Sequence, residues 1–302
     1  MNNKRPVFVA TFGVILAVGI LYLIPSIAPT VYAQEYSNNY DSNQYNQEPI
    51  YNDYYDPKDE YVVLERAHPA QYYDQKNYDN GYLDKNNKPK IFPANKVSQL
   101  GDRWWQWGFG LDASIVDPFT NIGQAGCDVG LQDNGKLLFL VGTAKDPDTG
   151  FPVHECDIKK GTSILFPIVN VACNDLDAPP FFGANEQEQR QCSNSFIDTA
   201  LLEDFVVKID GYSVKNLEQY RIDSPAGGFE FTAVENNPFA TPVGDGTGVS
   251  DGYWILLAPL KPGKHTIEFM GVLDLTEIFQ TPEPFIFEVG ATYNLNVKSG
   301  YY

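Results

Sequence analysis

From residue 93 onward the chain alternates short apolar runs with turn-forming clusters. The runs are KLLFLVGT (136–143), SILFPIVNV (163–171), DFVVKID (204–210), GFEFTAV (228–234), YWILLA (253–258), HTIEFMG (265–271), FIFEV (285–289) and TYNLNV (292–297). Aromatic and β-branched residues fill them, mostly in two-fold alternation, and DPDTG, KKG, IDG, PAGG and KPGK separate them. This predicts a mainly β domain over 93–302, an antiparallel β-sandwich of immunoglobulin-like or jelly-roll-like type, rather than a parallel α/β sheet. YWILLAPLKPGKHTIEFMG reads as strand, Pro-Gly turn and strand, a late hairpin of that sandwich.

Two stretches change period and predict short helices. Between Asn95 and Leu111, the residues Val97, Leu100, Trp104, Trp107 and Leu111 recur at intervals of three, four, three and four, a single helical stripe. The stripe assigns Trp104 and Trp107 to the buried face. Trp105 is turned about 100° from Trp104 and shares its face with Gly101 and Gly108. Two readings of Trp105 stay open: packing beneath a loop, or a flat platform for a sugar ring. The second helix opens at Asn185, with Glu188 as the partner of a capping-box variant, and carries Cys192, Phe196 and Ala200.

The first 92 residues follow neither period. Lys4 and Arg5 precede an uncharged apolar stretch from Pro6 to Ile24, and PSIAPTVYAQ then places Val31 and Ala33 before a cleavage point. Residues 1–33 therefore read as a signal peptide. The same stretch is long enough to be an uncleaved anchor, which is the only membrane attachment expected. Residues 34–92 are rich in Tyr, Asn, Gln and Asp and contain one short apolar run, YVVLE. A flexible tail is expected there, because so little apolar surface cannot offset the entropy of ordering.

Composition narrows the function. The 302 residues carry 21 Lys and Arg against 39 Asp and Glu, a net charge of −18, which excludes a nucleic-acid binder that works by pairing cations with phosphates. Cys127, Cys156, Cys173 and Cys192 form an even set without a CxxC pair. Outside the cell they are expected to form two bridges, Cys127–Cys156 and Cys173–Cys192, because pairing sequence neighbours closes the shorter loops.

Catalytic motifs are scarce. His68, His154 and His265 are the only histidines, and neither a Gly-x-Ser-x-Gly elbow nor a His-Glu-x-x-His helix occurs. With two methionines and three scattered histidines a copper site lacks ligands. Paired carboxylates of a hydrolase stay open only because acids are abundant. Calcium is the one cofactor with candidate ligands: Asp146 and Asp148 in DPDTG, and Asp245 and Asp251 in GDGTGVSDG. Both segments also read as ordinary turns.

The motifs WWQW, DPF, GQAGC, LFLVGT and CDIKKGTSILFPIVNVAC, with the later SDGYWILLAPLKPGKHTIEF, resemble an uncharacterised family of secreted bacterial and archaeal proteins over most of the folded region. The tail after VYAQ resembles exported proteins of ammonia-oxidising archaea. GQAGCDVGLQDNG departs from the family pattern with a longer, more acidic link. The resemblance implies secretion and carries no activity. The expected function is a secreted or surface-tethered module that binds envelope carbohydrate or protein, with a secreted hydrolase as the alternative.

Overall fold

The computed structural model describes residues 88–299. The leader expected at 1–33 and the part of the 34–92 tail that precedes residue 88, YVVLE included, lie outside the described residues. Two sheets of six strands each stack face to face, mostly antiparallel, with few short helices: a β-sandwich.

Numbered along the chain, the first sheet holds β1 (Leu131–Gln132), β2 (Leu137–Phe139), β5 (Ser163–Asn174), β8 (Arg221–Asp223), β9 (Phe229–Ala233) and β10 (Gly244–Leu257). The second holds β3 (Thr143–Ala144), β4 (Val153–Lys159), β6 (Val206–Ile209), β7 (Tyr212–Ser213), β11 (Gly263–Asp274) and β12 (Ile286–Lys298). β10 is the spine of the first sheet. One of its edges pairs with β5 from Gly248↔Asn174 to Leu257↔Ile164, with a bulge between Tyr253 and Trp254. The other edge is completed by three separate pieces: β9, β8, and residues 90–92. In that last piece Phe92 N donates to Leu256 O and Ala258 N to Lys90 O, both at 2.9 Å. Pairing thus begins before Pro93, where the sequence places the start of the domain. β12 plays the same part in the second sheet, with β11 along one edge and β3 and the parallel β4 along the other.

The long apolar runs follow from burial on both faces. Toward the second sheet, Ile164, Phe166, Ile168, Ile255 and Leu257 meet Ile267, Phe269, Tyr293 and Leu295. The alternate residues Leu165, Trp254 and Leu256 point the other way, into a second core under helix α1 (Ser98–Phe109). The molecule has three layers: helix, sheet and sheet. β4, by contrast, buries only His154, Cys156 and Ile158 and exposes the residues between them.

Three strand expectations need correction. YWILLA and HTIEFMG are not a hairpin: β10 and β11 lie in different sheets, so the Pro-Gly segment is an arch between layers. KLLFLVGT is not one strand, because the chain leaves the first sheet after Phe139 and joins the second at Thr143. FIFEV and TYNLNV are one strand, since Gly290 lies flat against Phe269 and Met270 without breaking the ladder.

The capping box of α3 (Glu186–Ile197) is present: Asn185 Oδ1 accepts from Glu188 N at 3.1 Å, and Glu188 Oε2 accepts from Ala184 N at 3.0 Å. Two one-turn helices, α2 (Gln124–Asp128) and α4 (Thr276–Phe279), add to the two expected. Both expected disulfides form. Cys127–Cys156 ties α2 to β4, and Cys173–Cys192 ties β5 to α3, each closing a loop worth roughly 3 kcal/mol of lost disorder in the unfolded chain. Two bridges and no free cysteine among the described residues fit an oxidising compartment. Among the described residues no helix is long and apolar enough to cross a membrane.

Candidate functional site

The tryptophan helix is rotated from the stripe expected of it. Its buried face runs through Leu100, Gly101, Trp104, Trp105, Gly108 and Phe109. Trp105 keeps only 6% of its surface exposed, while Trp107 is half-buried. A stripe two residues wide covers both i+3 and i+4 neighbours, and counting one residue per turn had centred it too far toward Trp107. Trp104 sits at the middle of the cluster, within 5.2–6.4 Å of the rings of Trp105, Trp107, Phe119, Phe239 and Trp254, and its Nε1 donates to Leu140 O at 3.0 Å.

An exposed sugar platform at Trp105 is ruled out by this packing. Phe109 stacks on the indole at 5.6 Å and Phe239 lies against it at 4.8 Å. The flanking glycines serve the core instead: a Cβ on Gly108 would come within 2.5 Å of Phe239, and one on Gly101 within 3.2 Å of Trp254. They let the helix settle onto the sheet.

Trp105 nevertheless borders open space. The residue lines a cavity of about 70 Å³ where the two cores approach each other. β2 stops opposite Leu165, so from Phe166 to Cys173 β5 has a ladder on its β10 side alone. Pro167–Ala172 form one wall of the cavity, Trp104, Trp105, Phe119 and Phe239 a second, and Leu275, Phe279 and Phe287 a third. Trp105 Nε1 and Asn170 Nδ2 are both buried without a hydrogen-bond partner. A buried donor left unpaired costs about 1–3 kcal/mol, so two on one cavity are a polar demand that the protein itself does not meet. Asp177 supplies a carboxyl to the same cavity. Burial pushes it above the ordinary carboxylate range, against the opposing bond from Asn174. Asn170 was visible in the sequence as a polar residue that interrupts the apolar run after Ser163 in SILFPIVNV; nothing around Asp177 marks it.

The calcium candidates do not converge. GDGTGVSDG is the first half of β10 rather than a loop, so Asp245 and Asp251 stand about 20 Å apart along an extended strand. Asp251 is 1% exposed and held by Arg221, whose Nη2 donates at 2.6 Å, and by its neighbour Gly252 N at 2.7 Å. Arg221 also reaches Asp198 at 2.7 Å. Asp245 is exposed and accepts from Thr232 Oγ1 at 2.6 Å. Asp146 closes its turn by accepting from the N–H groups of Asp148 and Thr149, at 2.9 and 2.7 Å, which leaves DPDTG as turn chemistry. Among the described residues no group of three His, Cys, Asp or Glu is placed to hold a metal ion.

The two described histidines line neither cavity nor cleft, and His154 Nε2 is itself buried without a hydrogen-bond partner. His265 bonds Asp210 through Nδ1 and Lys261 O through Nε2, each at 2.7 Å. His154 is buried flat against Tyr293, ring centres 4.3 Å apart, and burial draws its pKa down to about 4. Neither faces a nucleophile. A separate open cleft over β9 and β10 gathers Asp175, Glu230 and Asp245. Thr247 serves Asp175 there, donating from N at 2.8 Å and from Oγ1 at 3.0 Å. Comparison with protein-family models, curated proteins and solved structures finds no match to this chain.

Proposed function

We propose that the chain is a secreted or surface-tethered β-sandwich module that holds an envelope carbohydrate without cleaving it. The observation that carries this reading is the aromatic cavity beside the open edge of β5, with its unpartnered Trp105 and Asn170 donors. A recessed apolar pocket with a few convergent polar groups is the form of a small-ligand site. A protein partner calls for a broad surface of about 800 Å² per side, which makes it the lesser of the two ligands expected from the sequence. The disulfides favour an extracellular setting, and the resemblance to secreted families points the same way. Hydrolysis is the second reading, and the open cleft of Asp175, Glu230 and Asp245 is its only support. Those acids are solvent-facing or half-buried, whereas a general acid needs burial to keep its proton at neutral pH.

The test is co-sedimentation of the full chain with a panel of envelope polysaccharides, with release of reducing ends measured in the same tubes. Retention without release is expected. Release abolished by Asp175→Asn or Asp245→Asn establishes the hydrolase instead. Retention on no polysaccharide removes the binding module.

A further inference from the structure

We infer that the cavity beside β5 is an acetamido subsite, which takes the N-acetyl group of an N-acetylated amino sugar. This rests on the reading of the chain as a carbohydrate-binding module and names its ligand class. The argument is one of matching functional groups. Trp105 Nε1–H and Asn170 Nδ2 are two donors with no acceptor in the protein, on residues that line one cavity. A carbonyl oxygen has two lone pairs and satisfies both. Asp177 faces the same space, and one lone pair of its Oδ2 is taken by Asn174 Nδ2 at 2.6 Å. Its remaining lone pairs are available to an amide N–H. The rest of the lining is mainly aromatic and aliphatic, which suits a methyl group.

Size permits this class, and charge narrows it. A volume of about 70 Å³ is several times the about 10–15 Å³ that admits one water on the same measure. It has room for the four heavy atoms of an acetamido group. A carboxylate would also answer two donors, but it meets Asp177 and a chain of net charge −18. A neutral carbonyl avoids that repulsion. An acetylated lysine offers the same terminal group on a long stem. The reading of the chain as a carbohydrate-binding module selects the sugar, and an acetylated peptide is the competing outcome of the test.

The experiment follows the indole protons of the full chain labelled with ¹⁵N-tryptophan, which has four such resonances. Trp105→Phe identifies the Trp105 signal, and through-bond assignment identifies it if that variant does not fold. Titration with N-acetylglucosamine is expected to move the Trp105 resonance saturably, and glucose to leave it in place. Asn170→Ala is expected to weaken the sugar roughly tenfold, the loss of one hydrogen bond from a buried group. A Trp105 resonance that ignores N-acetylglucosamine overturns the inference, as does one that responds equally to glucose. An acetyl-lysine peptide that moves it at lower concentration than the sugar overturns the assignment to a sugar. Polysaccharide retention with an unmoved Trp105 signal defeats the acetamido subsite and leaves the binding module standing. Loss of both removes the two together.

Discussion

Trp105 and Trp107 lie two positions apart and differ in what their indoles reach. Trp107 is half-buried and donates to Val129 O at 2.8 Å, whereas Trp105 is enclosed by rings and its N–H is unpaired. Trp104→Ala and Trp105→Ala are therefore expected to cost roughly 3–5 kcal/mol each, and Trp107→Ala distinctly less. Urea denaturation of the three variants checks the order, and a Trp107→Ala cost equal to the others would show that the cluster packs as one block. The sequence marked this cluster as a helix face but placed the face one residue too far round. Asp102 escaped notice altogether: it is a charged residue on that buried face, whose Oδ1 accepts from Ser224 Oγ at 2.5 Å and Ser250 Oγ at 2.9 Å. Burial pushes its pKa up to about 6, more than these two hydroxyls draw it down. Between pH 3.8 and 6 the folded chain holds the Asp102 proton more tightly than the unfolded one, so this contribution is present at low pH and lost as pH rises through 6. His154, drawn down to about 4 by burial, acts with the opposite sign: its contribution is present above pH 6.5 and lost as pH falls toward 4. Each is of order 3 kcal/mol. Relative to the parent chain, Asp102→Asn is expected to gain stability at pH 7 and to steepen the rise between pH 4 and 6. Thermal melts across that range check it; an unchanged difference at all pH values would mean that Asp102 does not titrate there.

At the scale of elements, legibility followed burial. The parts of β5 and β10 buried on both faces, ILFPIV and YWILL, announced themselves as apolar runs, and α3 announced its first turn through Asn185 and Glu188. The partners of those strands were not legible. Nothing local in YWILLAPLKPGKHTIEFMG distinguishes a hairpin from an arch between sheets, because the turn residues are the same and only the destination of each strand differs. The half of β10 that is rich in Gly and Asp read as a loop because its side chains do not carry the strand. Its pairing with β9 and β5 does. The segment before α1 belongs to the same class of error. Residues 90–92 have no pattern of their own, yet they complete the third section of the β10 edge, with Ile91 and Phe92 packed against the two cores. A chain that begins at Pro93 is expected to melt about 5 °C below one that begins at Lys88, having lost two ladder bonds and part of two apolar side chains, about 2 kcal/mol. Equal melting temperatures in calorimetry would show that this edge needs no cover.

For the whole molecule, both spines draw on segments distant in sequence. Ile91, among the first described residues, bridges to Leu257 near the end of β10. Tyr293 Oη on β12 donates to Val141 O at 2.9 Å and accepts from Val141 N at 3.1 Å, contacts that span 152 residues. Neither sheet has a complete nucleus in the first half of the domain, and contacts this remote are the slowest for a chain to find. The order of synthesis therefore works as a timer. The first sheet cannot close before its spine β10 exists, nor the second before β12, so each sheet waits on the last long strand that the ribosome supplies to it.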